Sequence, residues 1–370
     1  MWSGTDDGLF PCPALDGGWL KTGGDLNLRV RCVRGQVRVS NARIGGSVMC
    51  EGGKFKGFRD QDSILRPSIV MNDTEIDIDL CINHAKLVGG IQLIDTKVRG
   101  NLVSDGVDVS GGRADDDQPL DAVKGNRLSV GGTLFLRAGA RLDGITDLTS
   151  ASIGEIWDAR ECWPQKGYLL LNNCQYRAIS GGPVDAASRL EWLGRQDPAR
   201  WGADFWPQPY QQLAKVLREM GHEDEAKTVL VAKEHARRAA ELRRVAWWRK
   251  PFHWLWTQLL RMVGYGYRPA RALVPALGIV ALGWGVVEWG DRAGILVPVA
   301  AGAPAARLVP LAYSFEAFVP IVKLGQVEAY RPATTPEGNC LQVYLWLHGL
   351  AGWLIGGIAA AGVLGLFRRE

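Results

Sequence analysis

At 370 residues the chain is too long for one hydrophobic core and has room for two or three compact units. A mean hydropathy of −0.04 and a net charge of +4 do not make it uniformly soluble, because both values average unlike parts. Residues 1–206 carry 24 Lys+Arg against 27 Asp+Glu, residues 207–271 carry 13 against 6, and the remainder balances at 6 against 6.

Met1 to Leu20 places Asp6, Asp7, Pro11 and Pro13 where a secretory leader needs an apolar core, so no signal peptide is expected. From about residue 20 to 180 a loose phrase recurs: a small or polar residue, an aliphatic, a glycine or two, then alternating aliphatics. It is seen at Ala42 to Val48, Ala85 to Ile91 and Thr96 to Leu102. Leu87, Val98 and Val109 fall 11 residues apart, so two phrases make a period of about 22. Short strands turning at glycine corners would stack this aliphatic column inside a β-helix or related solenoid, with Arg, Asp and Asn outside. A β-sandwich of irregular strands is the alternative. Phe55 to Met71 and Gly112 to Lys124 read as loop insertions.

Residues 185–244 change period. Asp185 to Leu193 reads as a short helix, and the stretch from Gln208 to Arg244 holds two helical patterns split at Gly221. The first places Tyr210, Leu213, Val216 and Leu217 on one face, the second Ala226, Val229, Leu230 and Lys233. This is a helical-hairpin connector, similar to half of a tetratricopeptide array. Residues 245–263 interleave Trp247, Trp248, Trp254 and Trp256 with Arg249, Lys250 and Arg261, the mixture that settles at a lipid headgroup boundary. An interfacial amphipathic helix is favoured here over a buried one, and nucleic-acid binding is disfavoured. Gly264-Tyr265-Gly266-Tyr267 resembles part of a potassium-channel filter, yet it precedes the first apolar run and reads as a surface turn.

Residues 272–367 form the membrane domain. Spans are expected near 272–290 and 341–367, since each run approaches or exceeds the roughly 20 apolar residues that cross a bilayer. Lys250, Arg261, Arg268 and Arg271 before the first span, with Arg368 and Arg369 after the second, predict cytoplasmic N- and C-termini and an external loop, in a bacterial inner membrane. Six cysteines (Cys12, Cys32, Cys50, Cys81, Cys162 and Cys174) then lie on the reducing side. No C-x-x-C or Cys/His cluster occurs, so most read as small buried residues. Between the spans, Leu308 to Leu324 is apolar enough to re-enter the membrane or to lie on its surface. Glu288 and His348 are the candidate intramembrane polar residues, read either as hydrated near the outer face or as a proton-handling pair. No dinucleotide fingerprint, P-loop, H-E-x-x-H or G-x-S-x-G is present, so no catalytic, cofactor or metal residue is assigned.

ARIGGSVMCEGGKF at Ala42 to Phe55, VGGTLFLRAG at Val130 to Gly139, the runs SRLEWLGRQ and PQPYQQLAKVLREMGHEDEAKTVLVAKE, and GYGYRPARAL at Gly264 to Leu273 together resemble a bacterial family. Its members are membrane proteins with glycine-rich, pentapeptide-repeat-like β-solenoids and a two-span C-terminal domain, often labelled membrane-associated oxidoreductases. The resemblance implies a redox activity but carries no catalytic residue onto this sequence. The expected fold is a multidomain α+β membrane protein made of N-terminal solenoid, helical connector and two-helix transmembrane domain. The first functional expectation is a non-enzymatic scaffold whose solenoid binds a cytoplasmic protein. The second is an oligomeric pore, and the third an oxidoreductase. The expected partners are the lipid bilayer, a cytoplasmic protein and further copies of the chain.

Overall fold

A computed structural model describes residues 14–60, 64–114, 117–244, 246–250, 254, 257–258, 272–299, 307–319 and 321–363. The chain divides into two compact units, Met1–Ala240 and Glu241–Glu370.

The first unit is rich in short parallel strands. Leu15 pairs with Val37 and Ile69 with Ile91, 22 residues on; Val37 pairs with Ile69 and Ile91 with Val123, 32 residues on. The chain thus winds in stacked turns, here called coils. Each strand of the seven-stranded sheet opens one coil. The second and fourth coils carry ten extra residues at the same corner, where Arg59 bridges Leu65 and Arg113 bridges Pro119. These are the two insertions read from the sequence.

Because side chains alternate along a strand, one residue of each pair faces inward and the other outward. Inward columns are aliphatic: Ile44, Ile76, Val98, Val130 and Ile153 stack in register, as do Val48, Leu80, Leu102, Leu134 and Ile156. All of them are buried, and each contributes about 1.5–3 kcal/mol of transfer free energy. Outward positions hold ion pairs that bridge coils, such as Lys97–Glu75, Arg99–Asp77, Lys86–Asp108, Arg127–Asp95 and Arg137–Asp105.

The corners are in part the glycine turns expected: Gly52 and Gly106 take φ of 64 and 62°, and Gly35, Gly89 and Gly144 also lie at positive φ. One left-handed corner position recurs in every coil, and it is filled by Trp19, Asn41, Asp73, Asp95, Arg127, Ser150 and Asn173, with φ between 50 and 64°. Asn and Asp tolerate this region because their side chains bond locally to backbone. Several of the glycines serve close approach instead. A Cβ on Gly131 would lie 2.3 Å from the Arg99 carbonyl of the preceding coil.

Helices close the C-terminal end of this unit. Helix α1 (Ala186–Leu193) starts at Asp185, whose side chain accepts the Ser188 N–H, as a helix N-cap does. α2 (Gln208–Glu219) buries Leu213, Val216 and Leu217, and α3 (Glu223–Arg244) buries Ala226, Val229 and Lys233; these match the predicted faces. The chain turns between them at Gly221, φ 87°. Arg189 on α1 is fully buried and forks onto Asp158 at 2.6 and 2.8 Å, while the Trp163 indole N–H also donates to Asp158 at 2.6 Å. Both charges are paired and hydrogen-bonded, which is the condition for burying them.

The second unit holds four further helices among the described residues: α4 (Leu273–Arg292), α5 (Pro310–Phe318), α6 (Gln326–Ala329) and α7 (Pro336–Val363). Leu296–Pro298 pairs antiparallel with Tyr330–Pro332, so the connection between the two long helices is itself folded. Helix α4 is long and apolar enough to cross a membrane, and only 22% of its apolar window is buried. Of the second predicted span, Leu341 to Val363 lies in the 28-residue α7, and residues 364–367 lie outside the described residues.

Candidate functional site

The polar groups of the second unit converge where α5 packs between α4 and α7. Three glycines allow the approach. A Cβ on Gly283 would lie 2.3 Å from Ser314 Oγ and 2.5 Å from His348 Cε1, and one on Gly352 would lie 1.7 Å from the Phe318 carbonyl. Gly349 faces the Ala317 carbonyl. No side chain fits in these gaps, so the helices meet backbone to side chain.

Ser314 is fully buried and donates its hydroxyl to the Val280 carbonyl at 2.8 Å, across to α4. His348, 3% exposed, places Nε2 3.1 Å from the Ser314 carbonyl and Nδ1 3.4 Å from Tyr344 Oη. A carbonyl only accepts, so Nε2 carries a proton toward Ser314, while Nδ1 faces the tyrosine hydroxyl. The network runs from Tyr344 through His348 to Ser314 and ends on Val280. Phe318 and Tyr344 flank the imidazole at ring distances of 5.6 and 5.7 Å. This arrangement can hold three helices in one register. It also keeps a titratable group and a hydroxyl in line inside an otherwise apolar unit.

One turn away, Glu316 is 7% exposed and accepts the backbone N–H groups of Gly325, Gln326 and Val327 at 3.3, 2.7 and 3.1 Å. Gln326 in turn accepts the Val309 N–H at 2.8 Å. Within Leu308 to Leu324 the helix is Pro310–Phe318, and side-chain bonds to backbone fasten the segment at the Val309 N–H and through Glu316.

The two polar residues singled out in the sequence are not brought together. Glu288 pairs with Arg292 at 2.8 Å, one turn along α4, whereas His348 belongs to the buried network. The hydrated reading of His348 is corrected by its burial: Ser314, Tyr344 and Phe318 exclude water from it. Ser314 and Tyr344 were not found from sequence. The signal that could have found them is glycine at positions 283, 349 and 352, flanking His348 on two helices.

Of the predicted headgroup residues, Trp247, Trp248 and Arg249 form one 3₁₀ turn. All three are exposed, as are Lys250 and Trp254. The Arg249 guanidinium stacks 4.5 Å from the Trp248 ring centre, and Trp247, Lys250 and Trp254 line a cleft of about 530 Å³ with Leu242 and Arg243. Trp256, Arg261 and the Gly264 to Tyr267 motif lie outside the described residues.

In the first unit a polar groove of about 360 Å³ runs between the strands and α2. Its cations are already engaged: Arg177 donates to the Gly131 carbonyl at 3.0 Å and Lys215 faces Glu219 at 3.9 Å. Burial pushes the Cys50 and Cys174 thiols up to about 12, which makes them packing groups rather than nucleophiles. No group of three or more His, Cys, Asp or Glu able to hold a metal ion is found among the described residues. Comparison with protein-family models, with curated proteins and with solved structures gives no match.

Proposed function

We propose that the chain is an inner-membrane scaffold, with α4 and α7 as a two-span hairpin and the stacked strands as a cytoplasmic solenoid of the pentapeptide-repeat-like kind that binds a protein partner. The observation that carries it is the outer surface of the long helices. Leu273, Val274, Leu277, Leu282 and Trp284 on α4, with Trp346, Leu347, Leu350 and Trp353 on α7, are all exposed. Apolar surface of that extent on a folded unit calls for lipid or protein around it. At 28 residues α7 is about 42 Å long, enough to span with tilt. The coiled unit has an interior filled by side chains, which leaves its outer columns for recognition.

Thiol labelling of the chain in intact cells tests the topology. Cys340 is exposed and should react with an impermeant reagent from outside, while Cys32, also exposed, should react only after the membrane is opened. Reaction of Cys32 first would overturn the orientation, and release of the chain by alkaline carbonate would overturn the membrane assignment.

The short helix wedged between two long ones supports a second reading, an oligomeric pore. Ion flux through liposomes that hold the purified chain, lost in Ser314→Leu, would favour it over the scaffold.

A further inference from the structure

Cations outnumber acids on the first two coils. Residues 14–60 carry nine Lys+Arg against four Asp+Glu, whereas residues 61–160 carry ten against sixteen. In the later coils most cations bridge to an acid on a neighbouring coil. In the first two, Arg29 and Arg43 are paired in this way. Arg34, Lys54 and Lys56 are exposed and have no ion pair among the described residues.

The register turns these residues into a patch. Arg34 lies beside Lys56 and Lys54 beside Lys86, on adjacent parallel strands. Lys54 and Lys56 leave the same face of one strand, so Arg34, Lys54 and Lys56 sit on a grid of about 5 by 7 Å, bordered by Lys86, which is already paired with Asp108. Like charges placed directly opposite one another destabilise a sheet. Farther along the same face the sign alternates, since Lys86 meets Asp108 and Asp108 meets Arg141. The first coils break that alternation in one direction only, toward positive.

We infer that this face docks on anionic phospholipid headgroups. The inference rests on the membrane placement proposed above. The strands form a firm surface that presents its cations side by side, and headgroups that diffuse laterally can match such a grid without a fixed spacing of their own. The bilayer that holds α4 would be tied to this face through one chain, so its effective concentration is high and modest attraction suffices. A soluble polyanion has no such tether.

Cys32 provides the probe, because it is exposed and stands next to the strand that carries Arg34. The full chain, with Cys12, Cys81 and Cys340 replaced by serine, is spin-labelled at Cys32 and placed in nanodiscs of phosphatidylcholine with or without phosphatidylglycerol. Access of a water-soluble nickel chelate to the label should fall at least about twofold when phosphatidylglycerol is present, and recover in high salt. It should also recover in Lys54→Glu/Lys56→Glu, and in part in Lys54→Gln/Lys56→Gln. Equal access in both lipids, or a fall that persists in the glutamate variant, overturns the inference. A fall produced by short RNA on phosphatidylcholine discs but not by phosphatidylglycerol assigns the patch to a soluble polyanion instead. Elution of the chain apart from discs of either lipid is a separate result, which removes the membrane placement itself.

Discussion

The two units share an apolar interior but differ in what they present outward. In the stacked-strand unit the interior is Val, Ile and Leu, and the ion pairs lie outside, half in water. In the helical unit Ser314 and His348 lie inside, while Leu, Val and Trp face outward. What differs is what each outer surface offers to its surroundings. Water drives the aliphatic columns of the first unit together, whereas α4, α5 and α7 meet through close backbone approach and a few internal hydrogen bonds.

The largest expected effect tests the one buried ion pair at the edge of the first unit. Asp158→Ala leaves the Arg189 charge buried and unpaired, and should cost about 3–5 kcal/mol in urea unfolding. A double replacement, Asp158→Leu with Arg189→Met, should recover most of that loss. If the single variant unfolds like the parent, the sealed interior of this unit is wrong.

In the second unit the corresponding test is packing. Gly352→Ala places a methyl on the Phe318 carbonyl and should cost about 1–3 kcal/mol in detergent, read as loss of helical signal on heating. Ser314→Ala removes one bond across to α4 and should cost less, about 1 kcal/mol. A Ser314→Ala effect larger than that of Gly352→Ala would mean that hydrogen bonding, not close approach, holds these helices.

The smallest effect sits on the outside of the coils. Hydrogen bonds from Arg29, Lys97 and Arg127 hold the carboxyls of Glu51, Glu75 and Asp95 below the usual carboxylate range. A depressed folded value means that the stabilisation is complete above that range and is lost as pH falls through the folded value. Melting of the first unit followed from neutral to acid pH should therefore decline only at the acid end, and more weakly in high salt.

The coil length was legible because each inward strand residue must be apolar and the chain must return beneath itself. Leu87 and Val109, 22 residues apart, are direct neighbours. The role of the glycines was not legible. Composition cannot separate a residue chosen for its φ, as at Gly52 and Gly106, from one chosen because a carbonyl lies where its Cβ would be, and at another corner Asn41, Asp73 and Asn173 stand in place of glycine. The two long helices stood out by hydropathy, and the break at Gly221 by the change in helical phase. The Ser314–His348 contact joins residues 34 apart in different helices, and Asp158–Arg189 joins residues 31 apart across a change of architecture. Long-range pairs of this kind leave no periodic trace in a single sequence.

The clamp of Arg189 on Asp158 also gives the stack a direction. In a one-dimensional array each coil is held only by its neighbours, so an end is the place where opening begins. α1, α2 and the buried ion pair close the last coil, whereas among the described residues Leu15–Asp16 pairs on one side alone. Amide exchange should thus be fastest near Leu15 and slow toward Ile179, so the chain would come apart as a zipper drawn from its basic end.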